Sequence, residues 1–139
     1  MLNVRVFIST ISAERFWDVN RPFPPVKIST NLNVVGVEKR KEHTLEIPFV
    51  FTINYSPAVA QINIKGKAQV SGDKKELDKI YSSYKEKKPP PPAIIQPISN
   101  VVFVESVLIS RTVNIPPPIP LPQIPQMGKK KQPEPSYRA

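Results

Sequence analysis

The chain has 139 residues, and its 20 Lys and Arg against 11 Asp and Glu give a formal net charge of +9 at pH 7. That length suits one domain with a tail, because a single core usually occupies about 100 to 200 residues. The chain has no Cys and one His, which excludes disulfide scaffolds, thiol nucleophiles and sites that need two imidazoles. Since 40% of the residues are apolar, we expect a folded core rather than a disordered chain.

The first ten residues do not have the pattern of a signal peptide. Arg5 interrupts their apolar stretch, and no small-residue cleavage site follows. The longest apolar window, around residues 101–109, is interrupted by Glu105 and is shorter than the roughly 20 residues of a membrane span. We therefore expect a cytoplasmic protein without a membrane-spanning segment.

The first part of the chain predicts four strands. Residues 3–12 and 26–38 carry alternating apolar positions, and residues 43–56 do so most regularly, with apolar residues at every second position. These positions are Leu45, Ile47, Phe49, Phe51, Ile53 and Tyr55. Residues 60–71 repeat the pattern and place Lys65 and Lys67 on the polar face. Strands with one polar face favour an antiparallel sheet.

The third and fourth strands are expected to form a hairpin that turns at Ser56 and Pro57. Pro48 lies on the polar face of its strand and cannot donate a hydrogen bond to a neighbour. It therefore indicates an edge position or a bulge.

Two helices are predicted after the strands. In residues 73–88, Asp73 can cap the first turn with Glu76 as its capping-box partner, and an amphipathic face ends before Pro89. Residues 98–113 fit either a strand or a helix. Their apolar spacing favours the helix, with Pro97 in its first turn.

Thirteen of the 18 prolines lie at or after Pro89, and this change in composition divides the chain into a regular N-terminal part and a Pro-rich C-terminal part. The stretch beginning at Ile115, IPPPIPLPQIPQ, is typical of an extended polyproline-like segment, with Ile119, Leu121 and Ile124 available to pack on the sheet or a helix. We expect an α+β domain over residues 1–124, in which a four-stranded antiparallel sheet is followed by two helices and this extended segment. Residues 125–139 form a basic, Pro-containing tail.

This order of elements resembles the SecB chaperone family. Four antiparallel strands are followed by a helix, a Pro-containing linker, a second helix after Pro97, and the Pro-rich ending PPPIPLPQI. Ile95, Gln96 and Pro97 stand where the family has Cys-Pro-Asn, the Gly-Gly of the family's ending is absent, and this chain is basic where family members are typically acidic. The resemblance implies the fold and a peptide-binding groove, and it transfers no individual site residues.

No group of residues favours catalysis or metal binding. His43 lies among charged residues at a predicted strand start, where an exposed imidazole is the ordinary outcome. The acidic cluster at residues 73–78 is interleaved with lysines, as on a solvated helix face, and the four glycines are isolated rather than arranged in a phosphate-binding loop. We expect a protein that is not an enzyme and needs no cofactor.

Basic residues form three local clusters that predict contact with nucleic acid. Lysines and arginines placed together bind phosphates because each contact releases condensed counterions. The clusters are Lys39, Arg40 and Lys41; Lys85, Lys87 and Lys88; and Lys129, Lys130, Lys131 and Arg138.

A Pro-bounded loop, ERFWDVNRPFPP, is a second candidate site. It combines Phe16 and Trp17 with Arg15 and Arg21, which suits stacking on a base or anchoring in a protein partner. The alternative is a lid that packs over the edge of the sheet.

These features favour a non-enzymatic, basic, RNA-binding protein of a large ribonucleoprotein, with ribosomal RNA and ribosomal proteins as its expected partners. The alternative is a SecB-like holdase, a homo-oligomer that binds unfolded polypeptides. A third interpretation takes IPPPIPLPQIP as a ligand for aromatic grooves of an adaptor partner.

Overall fold

A computed structural model describes residues 2–118, which form an antiparallel sheet of five strands and two helices. The elements in chain order are β1 (Asn3–Arg15), β2 (Lys27–Val34), β3 (Glu38–Lys41), β4 (Thr44–Ser56), β5 (Ala60–Ser71), α1 (Lys74–Lys85) and α2 (Pro92–Thr112). The predicted α+β class, the order of strands and helices, and the hairpin turn at Ser56 and Pro57 are confirmed. The short strand β3 is additional, because the second predicted strand divides into β2 and β3.

The strands are ordered β1-β5-β4-β2, and β3 also pairs with β4. On one side, β4 pairs with β5 through residues 44–54. On its other side, β4 pairs with β2 through residues 49–56 and with β3 through residues 44–46. Pro48 lies between these two stretches, and its carbonyl accepts a hydrogen bond from the Val35 N–H at 2.8 Å. The expected edge position was wrong, because β4 is paired on both sides, whereas the expected bulge is present in the register: residues 35–37 stand opposite only Ile47 and Pro48. The missing N–H of Pro48 is tolerated because Pro48 lies opposite the gap between the end of β2 and the start of β3.

One face of the sheet forms the core with the helices. Every apolar residue predicted for the inner face of β4 is at most 4% exposed, and Ile62, Ile64, Ala68 and Val70 of β5 are fully buried beside them. Helix α2 contributes Ile94, Ile98 and Val102, each completely buried, while α1 contributes Leu77. The opposite face of the sheet is uncovered within the described residues.

The helices differ in detail from their predicted starts. Asp73 is the N-cap of α1 and has extended backbone geometry, but its side chain makes no capping hydrogen bond. Residues 98–113, which fit a strand or a helix by sequence, are helical. α2 begins at Pro92, so Pro97 lies inside it rather than in the first turn. The earlier start follows from Pro at N1, where the missing N–H has no cost.

Helix α2 is long and apolar enough, by length and composition alone, to cross a membrane. In this structure its apolar residues Ile94, Ile98 and Val102 are buried in the core of a small domain. One side of α2 thus packs on the core while Val104 and Leu108 are exposed, and a single helix of this kind is weak evidence for a membrane span.

The chain after α2 returns to the core. Ile115 is 1% exposed, Pro116 and Pro117 are buried, and the Tyr55 hydroxyl donates a hydrogen bond to the carbonyl of Pro116. The predicted packing of Ile119, Leu121 and Ile124 and the tail at residues 125–139 lie outside the described residues.

Candidate nucleic-acid interface

The first two predicted basic clusters meet at one aromatic ring. Lys39 of β3 places its Nζ 4.7 Å from the ring centroid of Tyr81, and Lys85 of α1 places its Nζ 4.6 Å from the same centroid. These lysines are far apart in the sequence, and the packing of α1 beside β3 brings them together. An aromatic ring attracts a cation through its quadrupole, so Tyr81 holds both ammonium groups at the surface.

Lys41 and Lys74 extend this region. Together with Lys39 they line a small cavity of about 130 Å³ between the β3–β4 turn and the start of α1. We call the group Lys39, Lys41, Lys74 and Lys85 around Tyr81 the lysine surface. Its acidic neighbours are Asp78, which is 3.1 Å from the Nζ of Lys39, and Glu42, which lines the same cavity. Three lysines and two carboxylates thus line this cavity, and Lys85 adds a fourth cation at Tyr81.

Arg40 does not belong to the lysine surface. Its guanidinium lies 2.8 Å from a carboxylate oxygen of Glu38 and 3.1 Å from one of Glu46, and Lys67 also reaches Glu46 at 3.4 Å. Desolvation raises the pKa of Glu46, but the hydrogen bonds and charges of Arg40 and Lys67 outweigh it, so the net pKa lies below its ordinary value. Arg40 is occupied by two carboxylates and is a weak candidate for phosphate contact.

Lys87 and Lys88 follow the end of α1 and are exposed. Lys87 adopts a positive φ of 67°, and Lys88 lies 4.0 Å from Glu86. Both line a separate cavity of about 500 Å³ that runs between the linker prolines and Leu32, Val34 and Tyr84. These two lysines therefore border a separate groove in which ammonium groups stand next to apolar side chains.

The loop after β1 has two aromatic rings packed against the core and one that is exposed. Trp17 and Phe23 pack against the core, as a lid would, whereas Phe16 is 54% exposed. The guanidinium carbon of Arg21 lies 4.5 Å from the centroid of Trp17, and that of Arg15 lies 4.4 Å from the centroid of Phe23. The lid thus carries two arginines on its aromatic rings.

A basic patch on the uncovered face of the sheet was not predicted. Phe7 is 39% exposed there, paired in register with Lys67, and the guanidinium carbon of Arg5 is 5.3 Å from its ring centroid. Lys65 lies on the same face. The alternation in β5 indicated where Lys65 and Lys67 point, but only the pairing of β1 with β5 shows that Phe7 joins them.

The remaining candidate residues are His43, the acidic side chains and the third basic cluster. His43 is exposed in the turn between β3 and β4. Within residues 2–118 there is no group of three or more His, Asp or Glu side chains that could hold a metal ion. The third basic cluster, Lys129, Lys130, Lys131 and Arg138, lies outside the described residues.

Searches against protein-family models, curated proteins and solved structures gave no match to this chain. The resemblance to SecB therefore stays a prediction, and function is argued from the site alone.

Proposed function

We propose that this protein is a non-enzymatic RNA-binding protein of the cytoplasm that docks on the ribosome. The observation that carries the proposal is the convergence of Lys39, Lys41, Lys74 and Lys85 on one surface around Tyr81. Three of these lysines come from two clusters that are separate in the sequence, Lys39 and Lys41 from the first and Lys85 from the second. A compact group of cations on a rigid helix and strand suits the closely spaced phosphates of folded RNA.

The charge of the whole domain supports the same function. Residues 2–118 contain 16 Lys and Arg against 10 Asp and Glu, so the described part alone has an excess of six positive charges. Such an excess raises the rate of encounter with a polyanion. The basic patch with Arg5, Lys65 and Lys67 adds a second contact area on the uncovered face of the sheet. Ribosomal RNA offers enough phosphate surface for both areas, with ribosomal proteins as neighbours.

Co-sedimentation with ribosomes across a salt series tests this function. We expect the protein to pellet with ribosomes at low salt and to be released as salt rises, because each phosphate contact contributes about 0.7 to 0.9 to the slope of log K against log salt. A protein that stays in the supernatant at low salt would contradict the proposal.

A pair of charge-matched variants separates the lysine surface from general charge. The double variant Lys41→Gln with Lys85→Gln should lower the salt slope by roughly 1 to 2 and weaken pelleting. The control is Lys27→Gln with Arg111→Gln, which removes the same charge from exposed positions of β2 and of the last turn of α2, outside both contact areas. Equal losses in the two variants would show that the lysine surface has no special role.

A second function, a SecB-like holdase, is favoured by exposed apolar residues beside the edge strand β1. Ile11, Val104 and Leu108 are 45%, 60% and 53% exposed, and among the described strands β1 pairs only with β5. Exposed apolar groups next to open backbone donors and acceptors suit an extended polypeptide.

The holdase function predicts a stable oligomer and suppression of client aggregation. Light scattering of the purified protein and an aggregation assay with an unfolded client test both properties. The variant Val104→Ser with Leu108→Ser should abolish client protection, whereas Lys41→Gln with Lys85→Gln should leave it unchanged. A monomer that protects no client would eliminate this function and leave the RNA-binding proposal intact.

A further inference from the structure

The loop between β1 and β2 encloses a cavity of about 300 Å³ with a polar, positively charged wall. Arg15, Asn20, Arg21, Phe23 and Asn114 are among the residues that line it. Its volume is at the lower end of the range of small-molecule sites, which suits a single nucleotide.

Both arginines of this cavity have uncompensated charge. Within residues 2–118 neither guanidinium forms an ion pair with a carboxylate. The acid nearest to Arg21 in sequence, Asp18, accepts a hydrogen bond from the Asn20 N–H at 2.9 Å. Neither Asp18 nor Glu14, which precedes Arg15, lines the cavity. An anion that enters therefore meets positive charge without a competing carboxylate on the wall.

The side chains of Arg15 and Arg21 make different contacts. Arg15 donates from Nε to the Trp17 carbonyl at 2.9 Å, from Nη2 to the Asp18 carbonyl at 3.2 Å, and from Nη1 to the Asn114 carbonyl. It thus ties the loop to the end of α2. Arg21 is exposed, and its one described side-chain contact is the face of Trp17. A guanidinium that lies on a ring keeps its in-plane N–H donors available for a ligand.

The loop holds Arg21 in a fixed geometry. The Trp17 Nε1 donates to the Pro22 carbonyl at 3.0 Å, and the Arg21 N–H donates to the Asp18 carbonyl at 3.1 Å. These bonds close the loop on either side of Arg21 before any ligand arrives. Preorganised donors lose less entropy on binding and so bind more tightly.

We propose that this cavity binds one nucleotide unit through its phosphate, with Arg21 as the principal phosphate ligand and its guanidinium, supported by Trp17, as a platform for the base. Phosphate is matched by the planar fork of donors in arginine, and bases stack on guanidinium planes as well as on aromatic rings. Naming RNA as the natural source of the nucleotide rests on the proposed function. The site itself does not depend on the lysine surface.

Trp17 is the one tryptophan of the chain, and its ring contacts Arg21 of the cavity, so its fluorescence reports on the surroundings of Arg21. We expect titration with uridine 5′-monophosphate to change the emission of Trp17 in a saturable way, and uridine without phosphate to have little effect. Arg21→Ala should weaken binding by about tenfold or more, the loss expected for a charged hydrogen-bond donor, and Arg21→Lys should retain part of it. Lys79→Ala removes the same charge from an exposed position of α1, away from this cavity, and should bind like the wild type.

A short oligouridylate forms the second arm of the experiment. If only the oligomer changes the emission, and Arg21→Ala removes that effect, the ligand is a phosphate of the RNA backbone rather than a free nucleotide. If the protein binds the nucleotide but does not pellet with ribosomes, the nucleotide site is supported and the proposed ribosome-docking function is contradicted. An emission unchanged by both probes, an equal response to uridine, or wild-type binding by Arg21→Ala would overturn the site, even if ribosome binding persists.

Discussion

Tyr55 links the sheet to the chain that follows α2. Its ring lies in the inner face of β4, and its hydroxyl donates to the carbonyl of Pro116, which is also buried. Burial raises the pKa of Tyr55 to about 12, because ionisation would place an unsolvated phenolate in the core. The hydroxyl is thus a polar group whose one partner determines where the C-terminal segment can lie.

Tyr55 gives the protein a dependence on alkaline pH. In the unfolded chain this phenol ionises near its ordinary pKa of 10.0, whereas in the folded protein it ionises near 12. Since the folded pKa is the higher one, the contribution of Tyr55 to the free energy of unfolding is complete below pH 10 and falls as the pH rises towards 12.

The variant Tyr55→Phe tests this link. Denaturant unfolding at neutral pH should show a loss of about 1 to 3 kcal/mol, because the Pro116 carbonyl loses its donor in a buried site. The same measurement between about pH 10 and 12 should show a shallower decline for the variant than for the wild type. Identical pH profiles would contradict the assigned role.

Gly66 is a position where no side chain fits. Gly66 is in β5 and pairs with Ile8 of β1, next to the break in register between Ile8 and Thr10. A Cβ on Gly66 would overlap the backbone oxygen of Phe7 and lie 2.9 Å from Cζ of Phe49. The close approach of β1 to β5 at this bulge therefore depends on glycine.

We expect Gly66→Ala to lower the free energy of unfolding by about 1 to 3 kcal/mol, as overpacking of a core does. Gly36→Ala is the matched control, because its Cβ would meet nothing closer than Cγ of Pro48 at 3.8 Å. Thermal or urea unfolding of the two variants measures the difference. A Gly66→Ala protein as stable as the control would mean that β1 can shift away from β5 at little cost.

At the scale of single elements, α2 shows how side-chain size sets helix packing. Its buried positions recur at every fourth residue and become smaller along the helix: Ile94, Ile98, Val102, Ser106 and Ser110. Ser106 and Ser110 are at most 1% exposed, and their hydroxyls donate to the carbonyls of Phe103 and Val107, each at 2.8 Å. Small, internally satisfied side chains let the last turns of α2 lie close to the sheet.

The variant Ser106→Leu should therefore destabilise the protein by about 1 to 3 kcal/mol, since the added volume has no space against the sheet. Ser106→Ala should change the free energy of unfolding by less than about 1 kcal/mol, because the hydroxyl bonds only within its own helix. Ser82→Leu, the same substitution at an exposed position of α1, is the control for the change in helix propensity. Similar stability of Ser106→Leu and Ser106→Ala would show that α2 can move outward freely.

The elements that the sequence predicted well are those in which one pattern determines the structure. The alternation in β4 needed no partner to reveal its inner face, because burial on one side of a strand imposes a period of two. The serines of α2 obscured its pattern, since a serine buried by close packing looks like a surface residue. The alternation over residues 26–38 predicts one strand, and Val35, Gly36 and Val37 instead separate β2 from β3.

The sequence predicts the separate basic clusters of the candidate site but not how they come together. Lys39 and Lys85 both belong to short runs of lysine, which are local features of the sequence. Their meeting at Tyr81 depends on the docking of α1 beside β3, which no local pattern encodes. The same applies to Arg15, whose bond to the Asn114 carbonyl joins residues 99 positions apart.

At the scale of the whole molecule, positive charge is divided between the domain and the tail. Residues 125–139 hold four of the 20 basic residues and one of the 11 acidic ones, so most of the excess belongs to residues 2–118. If the lysine surface provides the main contact with RNA, the tail adds affinity through additional phosphate contacts without being essential.

A chain that ends at residue 124 tests this division of charge. It should still pellet with ribosomes at low salt, with a salt slope smaller by roughly 3 or less, the most that four cations can contribute. The loss caused by Lys41→Gln with Lys85→Gln should persist in the shortened chain, because separate contacts add independently. A full-length control with Lys129, Lys130 and Lys131 changed to Gln separates charge from length. If the shortened chain fails to pellet while the Lys41 and Lys85 variant pellets normally, the essential RNA contact lies in the tail.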